Sequence, residues 1–113
     1  MKLWVDDVRP APEGYVWCKS VDEAKEAIIL REKLNGIEWG YGDGITTEIL
    51  APFELIDIDH DAGDFARYGG DYIRLLDWFE ETGRNYPIHI HSMNPVGVQN
   101  MRAIIYKNNW KEI

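Results

Sequence analysis

Residues 53–63 read FELIDIDHDAG, an apolar run that ends abruptly in charged side chains. The pattern predicts a buried strand that places Asp59, His60 and Asp61 at one edge of a sheet. Two carboxylates and an imidazole at three successive positions need a cation, a proton or a ligand when they are brought together away from water. We therefore predict a functional site at the end of this strand.

Strands and helices alternate on both sides of this stretch. Strands are predicted at 2–5, 15–18 and 88–92, and helices at 20–34, at 71–82 and from Asn94 onward. This order predicts a single α/β domain over residues 1–113, with a doubly wound, mostly parallel sheet of about four strands in the order 2-1-3-4. Between them, residues 35–52 contain the turn-rich sequence GYGDG between two β-prone runs, which predicts either a hairpin or a longer loop.

Polar residues follow three of the predicted strands. Because ligands bind beyond the carboxyl ends of parallel strands, these residues are expected to converge on one rim of the sheet. Carboxylate oxygens are the ligands that Mg²⁺ prefers, so the rim predicts a divalent metal site. Its candidate ligands are Asp6, Asp7, Asp59 and Asp61.

Composition and charge narrow the function. The net charge is −8, without a concentrated basic cluster, which argues against binding to duplex DNA. A small phosphorylated ligand fits this charge if a cation mediates the contact. The single Cys18 allows no intramolecular disulfide, and the chain shows neither a signal peptide nor an apolar run near 18 residues. These features predict a cytoplasmic protein without a membrane partner.

The sequence resembles two related families. It is similar to the receiver domain of two-component signalling, but we find no fifth strand in the tail NNWKEI and hence no lysine following one. A closer resemblance is to the cyclic-phosphate processing receiver-like domains, through VDDVRP at 5–10, DIDHDAG at 57–63 and HSMNPVG at 91–97. Relative to that family, residues 35–52 look like an insertion. The resemblance implies a flavodoxin-like fold and a ligand such as the cyclic phosphate of a nucleotide or an RNA end.

Two function classes are compatible with these residues. In the first, the protein is a metal-assisted phosphoesterase, with Asp59, His60 and His91 as catalytic candidates. His60 would be the general acid, and His91, kept neutral beside a helix N-terminus, would be the general base. In the second, it is a non-catalytic receiver-like module that senses a ligand or binds a protein partner. The sequence does not decide between an enzyme and a binding module.

The remaining candidates concern substrate binding and assembly. Arg9, Ser92 and Asn94 are the candidates for binding a phosphate, although Ser92 and Asn94 also fit the cap of the last helix. His89 is expected to be structural. The fourth strand should be an exposed edge, which makes homodimerisation through that edge an expectation.

Overall fold

A computed structural model describes residues 1–40 and 47–113. Its strands are β1 Lys2–Val5, β2 Tyr15–Cys18, β3 Glu38–Gly40, β4 Thr47–Ile49, β5 Ile56–Ile58 and β6 Ile88–Ile90. Its α-helices are α1 Val21–Lys33, α2 Ile73–Thr82 and α3 Pro95–Lys107, and a 3₁₀ turn covers Gly63–Arg67.

The main sheet has four strands in the order β2-β1-β5-β6, and each neighbouring pair is parallel. This confirms the predicted doubly wound, receiver-like topology. In the register, Val5 pairs with Ile58 and Ile58 with Ile90. Three adjacent strands therefore stop at the same level, and the residue that follows each of them reaches the same rim.

The core is built on the alternating apolar positions of the strands and on one stripe of each helix. Burying each large apolar side chain stabilises the fold by about 1.5–3 kcal/mol relative to exposure. Fully buried positions include Leu3, Val5, Ile28, Ile56, Ile58, Leu75, Leu76, Phe79, Ile88, Met101 and Ile105. Tyr72 is buried as well, and its hydroxyl donates a hydrogen bond to the carbonyl of Lys19 at 2.7 Å.

Three helix ends lie where their capping residues predict, whereas α2 begins at Ile73, two residues after the predicted start and without a side-chain cap. The Ser20 side chain accepts a hydrogen bond from the Glu23 amide at 3.1 Å and caps α1. Asn94 caps α3 in the same way through the Gly97 amide at 3.0 Å, with Pro95 in the first turn. The α2 helix ends at Gly83, whose φ of 69° is the left-handed conformation that glycine adopts without strain.

Within residues 35–52, β3 and β4 pair antiparallel in a small sheet of their own. This agrees with the hairpin alternative, while most of the GYGDG turn lies outside the described residues. Ile49 lines an open cavity together with Met1 and Lys2, which lie at the amino end of β1. The end of β4 is therefore on the side of the sheet opposite to the acidic rim, as expected for a connection from a helix to a strand.

The tail forms no further strand among the described residues, as predicted, but it contacts the edge of the sheet. Glu112 forms an isolated parallel bridge with Ile88, and the Ile88 amide donates to the Lys111 carbonyl at 2.9 Å. Trp110 is buried against Phe79, with ring centroids 6.1 Å apart. The start of β6 is thus partly covered, because burial of the Trp110 ring brings the following residues alongside the strand.

Candidate metal and phosphate site

Three carboxylates meet at the carboxyl ends of β1 and β5. One oxygen from each of Asp6, Asp7 and Asp59 lies within 4.8 Å of the others, a spacing at which the three could hold one metal ion. Asp61, the fourth predicted ligand, is not part of this cluster. Its Oδ1 lies 2.8 Å from Nδ1 of His60 instead.

Asp7 is a member of this cluster with a raised pKa. Burial raises the pKa of its carboxyl, and the negative charges of Asp6 and Asp59 raise it further, although a backbone hydrogen bond opposes them. Gly63 faces this carboxylate, and a Cβ at position 63 would collide with Asp7 Oδ2. A cation among the three carboxylates would relieve the repulsion that their charges create.

Asp6 is fully buried, yet its hydrogen bonds favour the ionised form. Its Oδ1 accepts hydrogen bonds from the amides of Val8 and Arg9, both at 2.9 Å. Burial raises the pKa of Asp6, but the two amides and the neighbouring His91 outweigh burial and hold the pKa below its ordinary value. Asp6 is therefore a preformed anion with a fixed orientation.

The loop that carries Asp6 and Arg9 is held by two indoles. The Trp17 ring donates from Nε1 to the carbonyl of Asp6 at 2.8 Å, and the Trp4 ring donates to the carbonyl of Arg9 at 2.8 Å. Both tryptophans belong to strands, β2 and β1 respectively. The acidic turn is thus anchored to the sheet rather than held by its own chain alone.

His91 connects two buried carboxylates. Its Nε2 lies 2.9 Å from Oδ2 of Asp6, and its Nδ1 lies 2.6 Å from Oδ1 of Asp57. Its ring stacks on Trp4, with centroids 3.9 Å apart and planes 5° apart. Since each nitrogen faces a carboxylate, only the protonated ring can donate to both.

The expectation that His91 is neutral is therefore wrong. Burial lowers the pKa of His91, but the hydrogen bonds and charges of Asp57 and Asp6 outweigh burial and raise it above the ordinary value. The reason for the difference is the carboxylate of Asp57 on the adjacent strand, which lies 2.6 Å from Nδ1 of His91.

Asp57 is the site residue that sequence reasoning missed. It is the middle residue of β5 and only 5% exposed, between the fully buried Ile56 and Ile58. A carboxylate inside a short apolar strand is itself a signal, because a buried charge requires a partner. The sequence contains that signal, but it does not tell which side chain is the partner.

His60 has partners of its own. Its Nδ1 interacts with Asp61, and the side-chain nitrogen Nδ2 of Asn94 lies 3.4 Å from both carboxylate oxygens of Asp61. The imidazole packs against Gly97 in the first turn of α3, and its side chain is 15% exposed. The structure thus joins His60, Asp61 and Asn94 in one cluster and places His91 in another.

The predicted phosphate-binding residues lie at the same rim. The exposed Arg9 donates from Nη1 to the carbonyl of His91 at 3.2 Å and so links the loop after β1 to the end of β6. Ser92 accepts a hydrogen bond from the Asn94 amide at 3.1 Å, which gives it a local structural role. His89 lies elsewhere, with Nδ1 at 2.8 Å from the carbonyl of Ile113.

A parallel sheet in the order β2-β1-β5-β6, with an acidic cluster beyond its central strands, defines a receiver-like protein of the doubly wound class. The family model described as the cyclic-phosphate processing receiver domain matches residues 1–107, and the chain belongs to that family. No curated protein and no solved structure matches the chain. Within residues 1–40 and 47–113, every helix is too short or too polar to cross a bilayer.

Proposed function

We propose that this protein opens or hydrolyses cyclic phosphates of nucleotides or RNA ends at the rim formed by Asp6, Asp7 and Asp59. The observation that carries the proposal is the meeting of these three carboxylates in a chain of the cyclic-phosphate processing family. A strongly acidic cluster repels a phosphate by itself. The proposal therefore includes a cation between the protein and its ligand.

The donor set fits a hard divalent cation such as Mg²⁺. Three carboxylates supply the oxygen ligands that this ion prefers and leave room for water or substrate oxygens. Burial is the first cause of the raised pKa of Asp7, and the charges of Asp6 and Asp59 add a repulsion that a cation would remove. When bound, the cation would supply positive charge to polarise a phosphoryl oxygen and to make a water molecule more acidic.

His60 is assigned the role of general acid. Asp61 at 2.8 Å orients its ring through Nδ1, so the other ring nitrogen is the one that would donate a proton to the leaving oxygen. Such proton transfer typically contributes about 10²- to 10⁴-fold to the rate. The exposed guanidinium of Arg9 would bind the phosphate oxygens.

His91 is less suited to the role of general base. Both of its nitrogens are engaged with carboxylates, so removing a proton from water would require breaking one of these contacts. We assign it instead to holding Asp6. An activity that survives substitution of His91 while metal binding weakens would support this assignment.

Metal binding is tested by thermal melting. Adding millimolar Mg²⁺ or Mn²⁺ should raise the melting temperature, because a ligand that binds only the folded state stabilises it by mass action. Asp59→Ala should abolish the increase. Asp64→Ala is the matched control, since Asp64 is an exposed carboxylate on the following turn and should leave the increase unchanged. An unchanged melting temperature of the unaltered protein in the presence of either metal would contradict the proposed cation site.

Catalysis is tested with cyclic nucleotides and with RNA bearing a 2′,3′-cyclic phosphate, each with and without divalent metal. His60→Ala should lower kcat by about 10²-fold or more while the fold remains intact. His89→Ala should affect stability rather than turnover, because the His89 ring contacts the tail. Full activity of His60→Ala would exclude it as the acid. Ligand binding without turnover would instead favour a sensing module.

A further inference from the structure

We propose that Asp57 is a positioning residue that acts through the ring of His91 to fix the carboxylate of Asp6 in the acidic cluster. The proposal rests on the proposed function only in so far as the cluster binds a cation. The positioning of Asp6 is a property of the protein without metal, and it can be measured there.

The contacts form one continuous chain from the inside of the sheet to its rim. Asp57 on β5 contacts Nδ1 of His91 at 2.6 Å, and Nε2 of the same ring contacts Asp6 at 2.9 Å. Asp57 is 5% exposed and Asp6 is fully buried, so water does not compete strongly with either contact. The carboxylate in the middle of β5 is thereby connected to the cluster at the end of β1.

The ring has little freedom to turn. One face stacks on Trp4 at 3.9 Å, and the backbone amide of His91 donates to the carbonyl of Ile58 at 3.0 Å. A rotation of the ring would break both carboxylate contacts together. The direction from which Nε2 approaches Asp6 is therefore set by the contact of Nδ1 with Asp57.

The ring completes the support of Asp6. Oδ1 of Asp6 is held by the amides of Val8 and Arg9, while Oδ2 is held by His91. With donors on both oxygens, the plane of the carboxylate is determined. Loss of the donor at Oδ2 would leave the carboxylate free to rotate and would weaken the amide contacts at Oδ1.

The first experiment uses the metal-free protein. Asp57→Asn keeps the size of the side chain and removes the charge that orients His91. We expect shifted NMR signals and faster hydrogen exchange at the amides of Val8 and Arg9, because these amides bind Asp6. Glu32→Gln is the control: it disrupts another partly buried ion pair, on α1, and should leave both amides unchanged.

The second experiment separates the two nitrogens of His91. A glutamine amide reaches the position of Nε2 and an asparagine amide the position of Nδ1. His91→Gln should therefore retain a donor for Asp6 but lose the contact with Asp57, so the Val8 and Arg9 amide signals should shift by less than in His91→Asn, which loses the donor itself. This pair of variants tests the contact of Nε2 with Asp6 even if Asp57→Asn fails to fold. Unchanged Val8 and Arg9 amides in His91→Asn would overturn the inference, and equal shifts in both variants would show a general loss of packing and overturn it as well.

The third experiment measures Mn²⁺ affinity. Asp57→Asn should weaken binding by about 10-fold or more, the range typical of groups that orient metal ligands, although Asp57 is not in the cluster itself. The effects of Asp57→Asn and His91→Asn should be far from additive if both act through one ring. Unchanged Val8 and Arg9 amides in Asp57→Asn would overturn the inference. Absence of Mn²⁺ binding by the unaltered protein would overturn the cation site alone, and the amide signals would still decide the positioning role.

Discussion

Gly97 in α3 leaves space for the ring of His60, although glycine is a poor helix former. Gly97 lies in the first turn of α3 and is buried, where alanine would usually favour the helix by about 1 kcal/mol. A Cβ on this residue would lie 2.6 Å from Cδ2 of His60 and 2.8 Å from its Nδ1. The space that glycine leaves open is thus occupied by the imidazole.

Gly97→Ala is therefore expected to bring no gain in stability and to displace the His60 ring from Asp61. Thermal melting measures the first effect, and the imidazole NMR signals of His60 measure the second. Asn100→Ala is the control, because Asn100 is exposed on the same helix and its replacement should be neutral or stabilising. A more stable Gly97→Ala protein with unchanged His60 signals would contradict the prediction.

For single residues, the sequence predicts which side chains belong to the site better than it predicts which side chains they contact. Asp6, Asp7 and Asp59 could be predicted to meet, because each follows a strand and parallel strands end at one rim. Their contacts with Asp57 and His91 could not, since those depend on which rotamers the packed sheet allows. The prediction of a neutral His91 failed for that reason.

Between elements, an ion pair with several hydrogen bonds joins α1 to the segment after α2. Glu32 accepts hydrogen bonds from the guanidinium of Arg84 at 2.8–3.2 Å and from the hydroxyl of Tyr86. Burial raises the pKa of Glu32, but these hydrogen bonds and the charge of Arg84 outweigh it and lower the pKa below the ordinary 4.5. The ionised carboxylate therefore stabilises the folded state.

This link predicts a pH-dependent cost for Glu32→Gln. Because the folded pKa lies below the unfolded one, the contribution of Glu32 is complete above about pH 4.5 and is lost as the pH falls through the folded pKa. We expect Glu32→Gln to lower the free energy of unfolding by about 1.5–3 kcal/mol at pH 7, as for hydrogen bonds to charged groups. The difference from the original protein should shrink in acid. Urea unfolding across pH 3–7 measures it, and a cost independent of pH would contradict the assignment.

Elements with strong local signals were predicted well. The caps at Ser20 and Asn94, the stop at Gly83 and the alternation of apolar residues all act within a few positions of the chain, and the structure has each of them. The bridge between Glu112 and Ile88 is different, because it depends on burial of Trp110 against α2. A contact that exists only after the helices have packed leaves no periodic pattern in the sequence.

For the whole molecule, the bridge between Glu112 and Ile88 affects how readily two copies of the protein can associate through β6. Besides the contact of Glu112 with Ile88, the side chain of Glu112 forms an ion pair with Arg102 at 3.0 Å, and the amide of Ile113 donates to the carbonyl of Ile88 at 2.8 Å. The start of β6 is therefore paired rather than open. Unpaired strand edges invite pairing with another copy, so covering them opposes self-association.

Removing residues 110–113 should expose this edge and increase self-association. The same deletion should also lower stability, because it removes the buried Trp110 ring. Sedimentation at several protein concentrations separates the two effects. As a control, Trp110→Phe should reduce packing while the backbone pairing of the tail is retained, and it should remain in the association state of the original protein. A deletion variant that sediments like the original would show that this edge does not drive association.

The contact between Asp6 and His91 also affects when the site can form during protein synthesis. The two residues are 85 positions apart, and β1 lies between β2 and β5 in the finished sheet. On the ribosome, Asp6 therefore emerges well before His91, and its contact with the His91 ring has to wait until β6 has been translated and has docked beside β5. Closing so long a loop is entropically costly and belongs to the later stages of folding. The support of Asp6 by His91 is therefore a late step, and a nascent chain cannot assemble this form of the site before β6 has joined the sheet.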